Sequence, residues 1–572
     1  MARIVQVNVQ TTNAPTPSKL QQTGAIVTSG GSTLSPGQTA LLTQPSDATP
    51  IIATPKTLSA LTYSSNQVTA TTTVPHGWPI GAVFLAQVTG TVPAGYGLAT
   101  PELITITTAS QFTYTIGSNP GTATTFGTVL PTAALELTGA VASFFAQGTS
   151  TSVYVLEVGA NSVTADVTFL QNWITQNPGI FYSYLVPRAW DGNAAFLTML
   201  ATFESTTAKT YFFITTTLSS YMLYPAQMKC ALLFVEAIQY PVITAGTLIA
   251  TAMSLGAQSP GWAVTFTTTG NTSSPGVTNL FAGATIQLTG FTPSAYNGYW
   301  YCVAGTGPNG INAVNFGLSS NPGTPSVYGS IVPTYTASAG LPGEPVTGAN
   351  IYYSTTEFDA AAALQITLSY APSSTNKVPP LAYSYMYGVT PFPTAQNSAI
   401  IATLLAVGVN LVGTGAEGGI SNTLLLGGNT ADNNPFNYWY SIDWVAINLD
   451  LNVSNAIING SNNNINPLFL NQAGVNVLQA VCANTMTSAV TFGLALNPVI
   501  EIELTGPQLG VALDNNTYGS YSFVNAVPFP AYYTASPGDY KIGKYAGLSV
   551  GYAPLRGFEN VIINVTATTF AA

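Results

Sequence analysis

The sequence is poor in charged side chains. Asp, Glu, Lys and Arg make up 5% of the 572 residues, with 10 cations against 20 anions, whereas soluble domains carry about 25%. So few cations argue against the clustered positive charge that a nucleic-acid-binding face needs. Uncharged Thr, Ser, Asn and Gly must fill most surface positions, which favours a protein covered by copies of itself. We therefore expect a homo-oligomer and no direct contact with nucleic acid.

Cysteine and long apolar runs are also scarce. Cys230, Cys302 and Cys482 are widely spaced and odd in number, so neither a disulfide framework nor a zinc site is indicated. The best apolar run, 399–412, contains glycine and asparagine and falls short of the ~20 residues that span a bilayer. The first residues have no apolar core of signal-peptide length. We expect no metal, no cofactor and no membrane span, and a soluble protein that is made in the cytoplasm and not exported.

Three short patterns match enzyme motifs but lack the context that their chemistry needs. Gly547–Gly551 has the nucleophile-elbow pattern around Ser549, but the only histidine, His76, lies far upstream. Gly305–Gly310 and Gly413–Gly418 match G-x-G-x-x-G, yet neither opens a helical pattern. We interpret His76 as a turn or packing residue. We predict no catalytic, cofactor-binding or metal-binding residue and no enzyme.

An internal repeat divides the sequence. Ser118–Thr122 and Ser320–Thr324 share the letters SNPGT, and the spacing of Gly90, Pro93 and Tyr96 recurs about 200 residues later. Within each copy, Thr, Val and Ile alternate in short runs bounded by Gly and Pro, which predicts strands. Each copy is therefore predicted to be a small inserted all-β module. The two modules span 58–132 and 247–334.

Outside these modules, strand and helix patterns alternate. Ser162 precedes apolar residues at helical spacing, and Asn177-Pro178-Gly179 ends that pattern, so a helix is predicted between them. Such alternation predicts an α/β layer. Its other predicted strands are Ala25–Thr28, Phe181–Val186, Tyr211–Thr215, Leu381–Tyr387 and Thr423–Leu426. Its other predicted helices are Asn193–Glu204, Glu357–Leu368 with Thr355 or Thr356 as cap, and Thr394–Val407.

The C-terminal part has a different pattern. Apolar residues at helical spacing predict two long helices, Asn437–Ile458 and Asn471–Met486. A β-rich stretch, Val490–Leu504, follows them. Helices followed by strands in this order predict an α+β unit.

Both ends of the sequence carry strand patterns. Apolar residues alternate with polar ones near the start, and a β-branched run lies close to the other end. A strand with unpaired edges templates association with another chain. We therefore predict that subunits exchange these terminal strands. The residues predicted to join a neighbour's sheet are Val5, Val7, Val9, Val561, Ile563 and Val565.

The C-terminal sequence resembles the tail-sheath proteins of contractile-tailed bacteriophages. The resemblance lies in Asp539-Tyr540, in GKYAGLS at Gly543–Ser549, and in PLRGF at Pro554–Phe558 before the closing strand. It implies a helical sheath, built as stacked rings around an inner tail tube and ending at baseplate and tail terminator proteins. Other segments similar to this family are 4–31, 134–159 and 169–191.

The resemblance also implies a mechanism and a location in the virion. Contraction of the sheath would drive the tube through the host envelope for genome ejection, with terminal arms linking the subunits. Lys541, Lys544 and Arg556 are then candidates for a contact with an acidic tube, although a solvated turn region would place them equally well. The predicted domains are an arm 1–20, a core of 21–57, 133–246 and 335–430, the modules 58–132 and 247–334, a tube-proximal α+β domain 431–550, and an arm 551–572.

A second hypothesis assigns a binding role to the repeated modules. Tyr96, Tyr296, Trp300 and Tyr301 would recognise a glycan or a host receptor if their rings were exposed. The same rings would also serve as the small cores of the modules. The fold class expected under either hypothesis is a multidomain α+β and α/β protein with two β inserts and extended terminal arms.

Overall fold

The computed structural model divides the chain into two compact units. The first unit comprises Met1–Gln22, Tyr370–Pro380 and Pro435–Ala572, and the second comprises Thr23–Ser369 and Leu381–Asn434. The residues that the structure describes are 19–98, 102–148, 151–204, 209–216, 220–225, 228–236, 248–257, 262–269, 285–304, 310–316, 325–327, 330–333, 357–391, 398–414, 422–519 and 521–557.

The second unit opens with two strands of its central sheet. These are β1 (Gly24–Thr28) and β2 (Thr39–Leu42). All five residues of β1 are buried, as expected for a strand covered on both faces. The strand predicted at Ala25–Thr28 is therefore confirmed.

Residues 56–131 fold into a closed barrel of antiparallel strands. The strands are β3 (Lys56–Ser64), β4 (Gln67–Thr72), β5 (Val83–Thr89), β6 (Glu102–Thr108), β7 (Gln111–Thr115) and β8 (Thr128–Pro131). They are hydrogen-bonded in the order β3-β4-β7-β6-β5-β8. Alternate side chains fill the interior, as along β4, where Val68 and Ala70 are both fully buried. The prediction that this segment is all β is confirmed.

Strands and helices alternate after the first barrel. The elements are α1 (Thr132–Ala146), β9 (Val153–Glu157), α2 (Val163–Gln176), β10 (Ser183–Leu185), α3 (Ala194–Phe203), β11 (Tyr211–Thr216) and β12 (Ala231–Val235). Helix α2 begins where the sequence predicts, because the hydroxyl of Ser162 accepts a hydrogen bond from Ala165 N. Asn193 caps α3 in the same way.

The second barrel repeats the topology of the first. Its strands are β13 (Leu248–Ala257), β14 (Trp262–Thr269), β15 (Thr285–Thr289), β16 (Gly298–Ala304), β17 (Gly310–Phe316) and β18 (Ser330–Pro333). Their order, β13-β14-β17-β16-β15-β18, matches the first barrel strand for strand. A short 3₁₀ helix also recurs, at Ala94–Tyr96 and Ser294–Tyr296. The sequence repeat is thus a repeat of fold.

The chain then returns to the central sheet through four elements. They are α4 (Asp359–Leu368), α5 (Ser398–Ala406), β19 (Val409–Thr414) and β20 (Thr423–Leu426). Helix α4 begins two residues later than predicted, since Phe358 is extended at its N-cap. Thr355 and Thr356 lie outside the described residues.

The strand predicted at Leu381–Tyr387 is wrong. The segment forms one isolated bridge, from Tyr385 to Leu424, and a few backbone hydrogen bonds to β20, such as Tyr383 N to Leu425 O at 2.8 Å, but no continuous ladder. Tyr383 has a left-handed backbone with φ of 62°, which interrupts the extended conformation that a ladder requires. The apolar pattern here predicted a strand because it does not encode that local turn.

The central sheet has eight strands in the order β2-β9-β1-β10-β11-β12-β19-β20. The six inner strands are parallel, and β2 and β20 are antiparallel edge strands. Helices α2, α3 and α5 pack on one face, while α1 and α4 pack on each other and on the sheet. Two covered faces explain why β11 and β12 are buried along their whole length.

The first unit is a smaller α+β structure. Its elements are α6 (Phe436–Ser461), α7 (Gln472–Thr491), β21 (Val499–Ile502), α8 (Gly506–Asp514), β22 (Ser522–Ala526), α9 (Phe529–Ala535), α10 (Pro537–Lys541) and β23 (Leu548–Gly551). Helix α7 packs on α6 and on β22. It also extends through Thr491, so the stretch predicted to be β-rich, Val490–Leu504, contains one short strand, β21. The hydroxyl of Thr491 donates to Thr487 O at 2.9 Å, within this last turn of the helix.

The chain is therefore a mixed α/β protein with several sheets and two six-stranded barrels. Among the described residues, each helix is too short or too polar to cross a bilayer.

Candidate assembly surface

The three-stranded sheet of the first unit has two open edges within the described residues. Strand β22 is central and pairs in parallel with β21 and antiparallel with β23. All five residues of β22 are buried, whereas β21 and β23 are half-buried or exposed. Each outer strand directs alternate N–H and C=O groups away from β22. Such groups can pair with one further strand.

A groove of about 400 Å³ lies beside β23. Leu509 and Leu513 of α8 line it, together with Phe523 of β22 and Tyr552. Helix α8 buries none of its residues, and Val511 is 60% exposed. An apolar helix left uncovered in this way is typical of an interaction surface.

The strand arms predicted from the sequence lie outside the described residues. Val5, Val7 and Val9 precede Lys19, the first described position, and Val561, Ile563 and Val565 follow Gly557, the last. Strand exchange by these residues therefore stays a prediction.

The beginning of the predicted C-terminal arm, 551–572, is folded into the first unit. Gly551 is the last residue of β23. Beyond it, Leu496 N donates to Ala553 O at 3.0 Å and Leu555 N donates to Leu494 O at 3.1 Å. The sequence missed these bonds because the partners lie more than fifty residues away, at positions 494–496.

The three cations proposed as tube contacts lie in different surroundings. Lys541 ends α10 and is exposed. Lys544 Nζ lies 3.7 Å from a carboxylate oxygen of Asp539, and its side chain is 58% exposed. Arg556 stacks on Tyr438, with its guanidinium carbon 4.9 Å from the ring centroid. Lys541 and Lys544 thus share one surface turn, whereas Arg556 packs on α6.

An aromatic cluster that the sequence analysis missed surrounds this turn. The ring of Tyr540 lies 5.1 Å from that of Tyr533 and 5.9 Å from that of Phe529. Tyr533 and Tyr540 are nearly half exposed, and Ile542 is 74% exposed. The density of aromatics in FPAYYTASPGDYKIGKY, 529–545, was the available signal. A surface with exposed tyrosines beside two lysines is more typical of a protein–protein interface than a surface with charged side chains alone.

His76 is a packing residue of the first barrel. It is 4% exposed, its Nε2 donates to Thr108 O at 2.9 Å, and its Nδ1 accepts from Trp78 N at 3.0 Å. Burial lowers the pKa of the imidazole, although the bond to Thr108 opposes that shift. Both ring nitrogens are occupied, so the predicted structural role of His76 agrees with its environment.

The glycine-rich turn after β1 holds a carboxylate of the chain itself. Glu157, at the end of β9, is 2% exposed and accepts bonds from Gly30 N at 2.7 Å, Ser32 N at 3.2 Å and Gly159 N at 2.9 Å. Ligands of open parallel sheets bind at the carboxyl ends of strands such as these. Here these backbone N–H groups already donate to Glu157. Burial raises the pKa of Glu157, and the hydrogen bonds lower it.

Asp166, in the first turn of α2, should make the stability of the second unit depend on pH. Burial raises its pKa from 3.8 to about 7, against hydrogen bonds from Asn161. The folded state therefore holds this proton longer than the unfolded state, and stability should fall as pH rises from about 4 to about 7, then level off. The full shift corresponds to about 4 kcal/mol. Because the carboxyl group is partly screened by solvent, Asp166→Asn should remove about 2 kcal/mol of pH dependence.

Urea unfolding across this pH range measures the effect. Asp450→Asn, which changes an exposed carboxylate of α6, is the control and should unfold like the wild type. If Asp166→Asn and the wild type show parallel pH profiles, Asp166 does not carry the proton.

The surroundings of one remaining motif, the one at Ser549, are described. Ser549 lies within β23, so the strand-to-helix turn of a nucleophile elbow is missing from the described structure around it. Most of Gly305–Gly310 and of Gly413–Gly418 lies outside the described residues. Within the part of the chain that is described, no group of three His, Cys, Asp or Glu side chains could hold a metal ion.

Two of the four aromatic residues proposed to bind glycan, Tyr96 and Tyr296, are core residues. Tyr96 is 2% exposed and its hydroxyl donates to Gly121 O at 2.7 Å. Tyr296, its counterpart in the second barrel, is fully buried. The side chains of Trp300 and Tyr301 lie outside the description. Two of the four rings therefore form barrel cores instead of a recognition surface.

Comparison with solved structures gives distant structural likenesses. No family model matches the chain, and no curated protein matches it. Among solved structures, the chain is similar to one in the cryo-EM structure of the anti-feeding prophage (AFP) baseplate, 6-fold symmetrised. The two are 10% identical with a TM-score of 0.43, over 100% of both chains.

Proposed function

We propose that this chain is the subunit of a contractile phage tail sheath. In this proposal, subunits polymerise helically around an inner tail tube, and contraction drives the tube through the host envelope to deliver the genome. The baseplate and the tail terminator would bound the assembly. The observation that supports it most is the sheet of the first unit, whose outer strands β21 and β23 each leave one edge open within the described residues.

Strand exchange would keep the subunits of a sheath connected while they move relative to one another. Ladder hydrogen bonds contribute about 1 kcal/mol each, and they persist while the bodies joined by an arm rotate. The sequence has strand patterns at both ends, and such strands could pair with the open edges of a neighbour's sheet. The energy of contraction would then be stored in a metastable extended lattice, without a nucleotide.

The small number of charges supports the same proposal. Only 5% of the residues are charged. Copies of the chain can therefore cover its surface at a small cost in hydration free energy, because burying charge costs far more than burying apolar or neutral polar groups. The exposed apolar residues of α8 and the Tyr533 and Tyr540 rings would likewise be covered in an assembly.

A proline pair in the N-terminal arm tests the strand exchange. Adjacent residues of a strand point their N–H groups to opposite sides, so Val7→Pro with Asn8→Pro removes one donor from each edge. We expect this variant to stay as small oligomers under conditions in which the wild type forms long assemblies, as measured by sedimentation velocity.

The control is Val7→Thr with Asn8→Thr, which keeps both donors and a high β propensity. It should assemble like the wild type. Long assemblies from the proline variant would show that this segment does not pair as a strand between subunits.

A further inference from the structure

Arg188 lies at a junction beside the carboxyl edge of the central sheet. It begins a 3₁₀ helix just after β10. Its Nη2 donates to a carboxylate oxygen of Glu236 and, at 2.9 Å, to Glu357 O. Its guanidinium carbon lies 3.8 Å from the ring centroid of Phe358. Arg188 is therefore held on three sides by groups from distant parts of the chain.

These partners lie in segments that flank the two barrels in the sequence, which we call the roots of the barrels. Glu236 directly follows β12 and is the last described residue before the second barrel, and Glu357 is the first described residue after it. Glu136 lies in α1, which begins immediately after the last strand of the first barrel. The backbone N of Arg188 donates to Glu136 Oε1 at 2.7 Å. One residue thus contacts the roots of both barrels.

The junction has more carboxyl groups than cations. Asp359 N donates to Glu236 Oε1 at 3.2 Å, which brings the Asp359 carboxyl into the same cluster. Asp359 is 3% exposed, and its Oδ2 has no hydrogen-bond partner in the described structure. A charged oxygen without a partner costs far more to bury than a neutral one. The geometry therefore favours a protonated Asp359.

The electrostatics agree with this geometry. Burial raises the pKa of Asp359 well above its usual range, the charges of Glu236 and Glu357 add to that rise, and Arg188 opposes it. Burial also raises the pKa of Glu236 and of Glu136, again against the attraction of Arg188. One guanidinium compensates one carboxylate, so the other carboxyl groups are most stable when they are neutral.

We propose that Arg188 and the carboxyl groups of Glu136, Glu236 and Asp359 form a cluster, here called the tie, that holds the roots of both barrels against the central sheet. The cluster is stable while its surplus carboxyl groups are protonated. Acids that hold their protons longer in the folded state stabilise it at low pH and lose that stability as pH rises. Ionisation of Asp359 would place a second negative charge beside Glu236. The tie is therefore strongest at low pH and weakens as pH rises through the raised pKa of Asp359.

Hydrogen exchange of the full-length protein, followed by mass spectrometry on peptides from 132–146 and 359–368, tests the tie. Protection factors are compared at about pH 6 and about pH 8.5, which removes the intrinsic pH dependence of exchange. Arg188→Met leaves Glu236 without its cation. It should lower protection about tenfold or more in both peptides at the higher pH. At the lower pH the loss should shrink, because Glu236 can take up a proton.

Asp359→Asn is the second variant, because it keeps the size of the side chain and leaves no buried charge without a partner. It should exchange like the wild type at about pH 6 and keep more protection than the wild type at about pH 8.5. Arg556→Met, which removes an exposed arginine of the other unit, is the control and should change neither peptide.

Three results would overturn the proposal. One is an Arg188→Met protein that loses protection in only one of the two peptides. Another is a loss that is equal at both pH values. The third is an Asp359→Asn protein that loses as much protection at about pH 8.5 as the wild type does. This third result can be measured even if Arg188→Met fails to fold.

Discussion

Removal of residues 558–572 is expected to abolish long assemblies while leaving a folded subunit. The hydrogen bonds described for the first unit end at Leu555, so the deletion spares them. What it removes is the segment that carries Val561, Ile563 and Val565. A strand of this length forms three to six ladder bonds at about 1 kcal/mol each, so the association constant should fall by a factor of about 10² to 10⁴.

Sedimentation velocity measures the loss, and thermal unfolding supplies the control. The truncated chain should sediment as monomers or small oligomers and should unfold within a few degrees of the wild type. If it forms wild-type assemblies, residues 558–572 do not join subunits. If it unfolds much earlier, the segment belongs to the fold of its own subunit, and the exchange model is wrong at this end.

Phe212→Ala is expected to have the largest effect on the stability of the second unit. Phe212 of β11 is fully buried in the middle of the central sheet. Its ring centroid lies 5.7 Å from that of Tyr184, 5.6 Å from that of Phe203 and 6.3 Å from that of Phe196. Truncating a ring in such a cluster loses transfer free energy and leaves a cavity, which together cost about 3 to 5 kcal/mol.

Urea unfolding followed by near-ultraviolet circular dichroism measures this cost. Leu103→Ala is the matched control, because Leu103 is 60% exposed on the first barrel and should lose less than about 1 kcal/mol. A cost below about 1 kcal/mol for Phe212→Ala would mean that the sheet does not pack around this ring as described.

Elements that local chemistry decides were predictable from the sequence. Ser162 caps α2 through its own hydroxyl, and the apolar spacing that follows it is a helical pattern in any context. The repeated SNPGT and Gly-x-x-Pro-x-x-Tyr signals predicted two equivalent β modules because turn residues and strand alternation are also local. His76 was rightly interpreted as a packing residue.

Elements that depend on distant partners were not predictable. Nothing near Leu381 in the sequence indicates the left-handed Tyr383 that prevents a strand there. The bonds of Ala553 and Leu555 to 494–496 require a partner segment that lies outside any local pattern. The Arg188 junction combines residues that are up to 223 positions apart, from Glu136 to Asp359 (359 − 136), and no spacing rule relates them.

The candidate surface was predicted only in part, for the same reason. Lys541 and Lys544 were singled out as rare cations, and both are exposed. The rings of Tyr533 and Tyr540 beside them became visible only when α9 and α10 brought them together. Exposure is a property of the folded unit, so a sequence dense in aromatics indicates a cluster but not which rings face outward.

Electron microscopy of the purified full-length protein at high concentration tests the central claim most directly. A chain whose β structure is completed by its neighbours should form hollow tubes of stacked rings in the absence of any other protein. Particles that remain monomeric or closed dimers at every concentration would contradict a sheath subunit, whatever the fold of its two units.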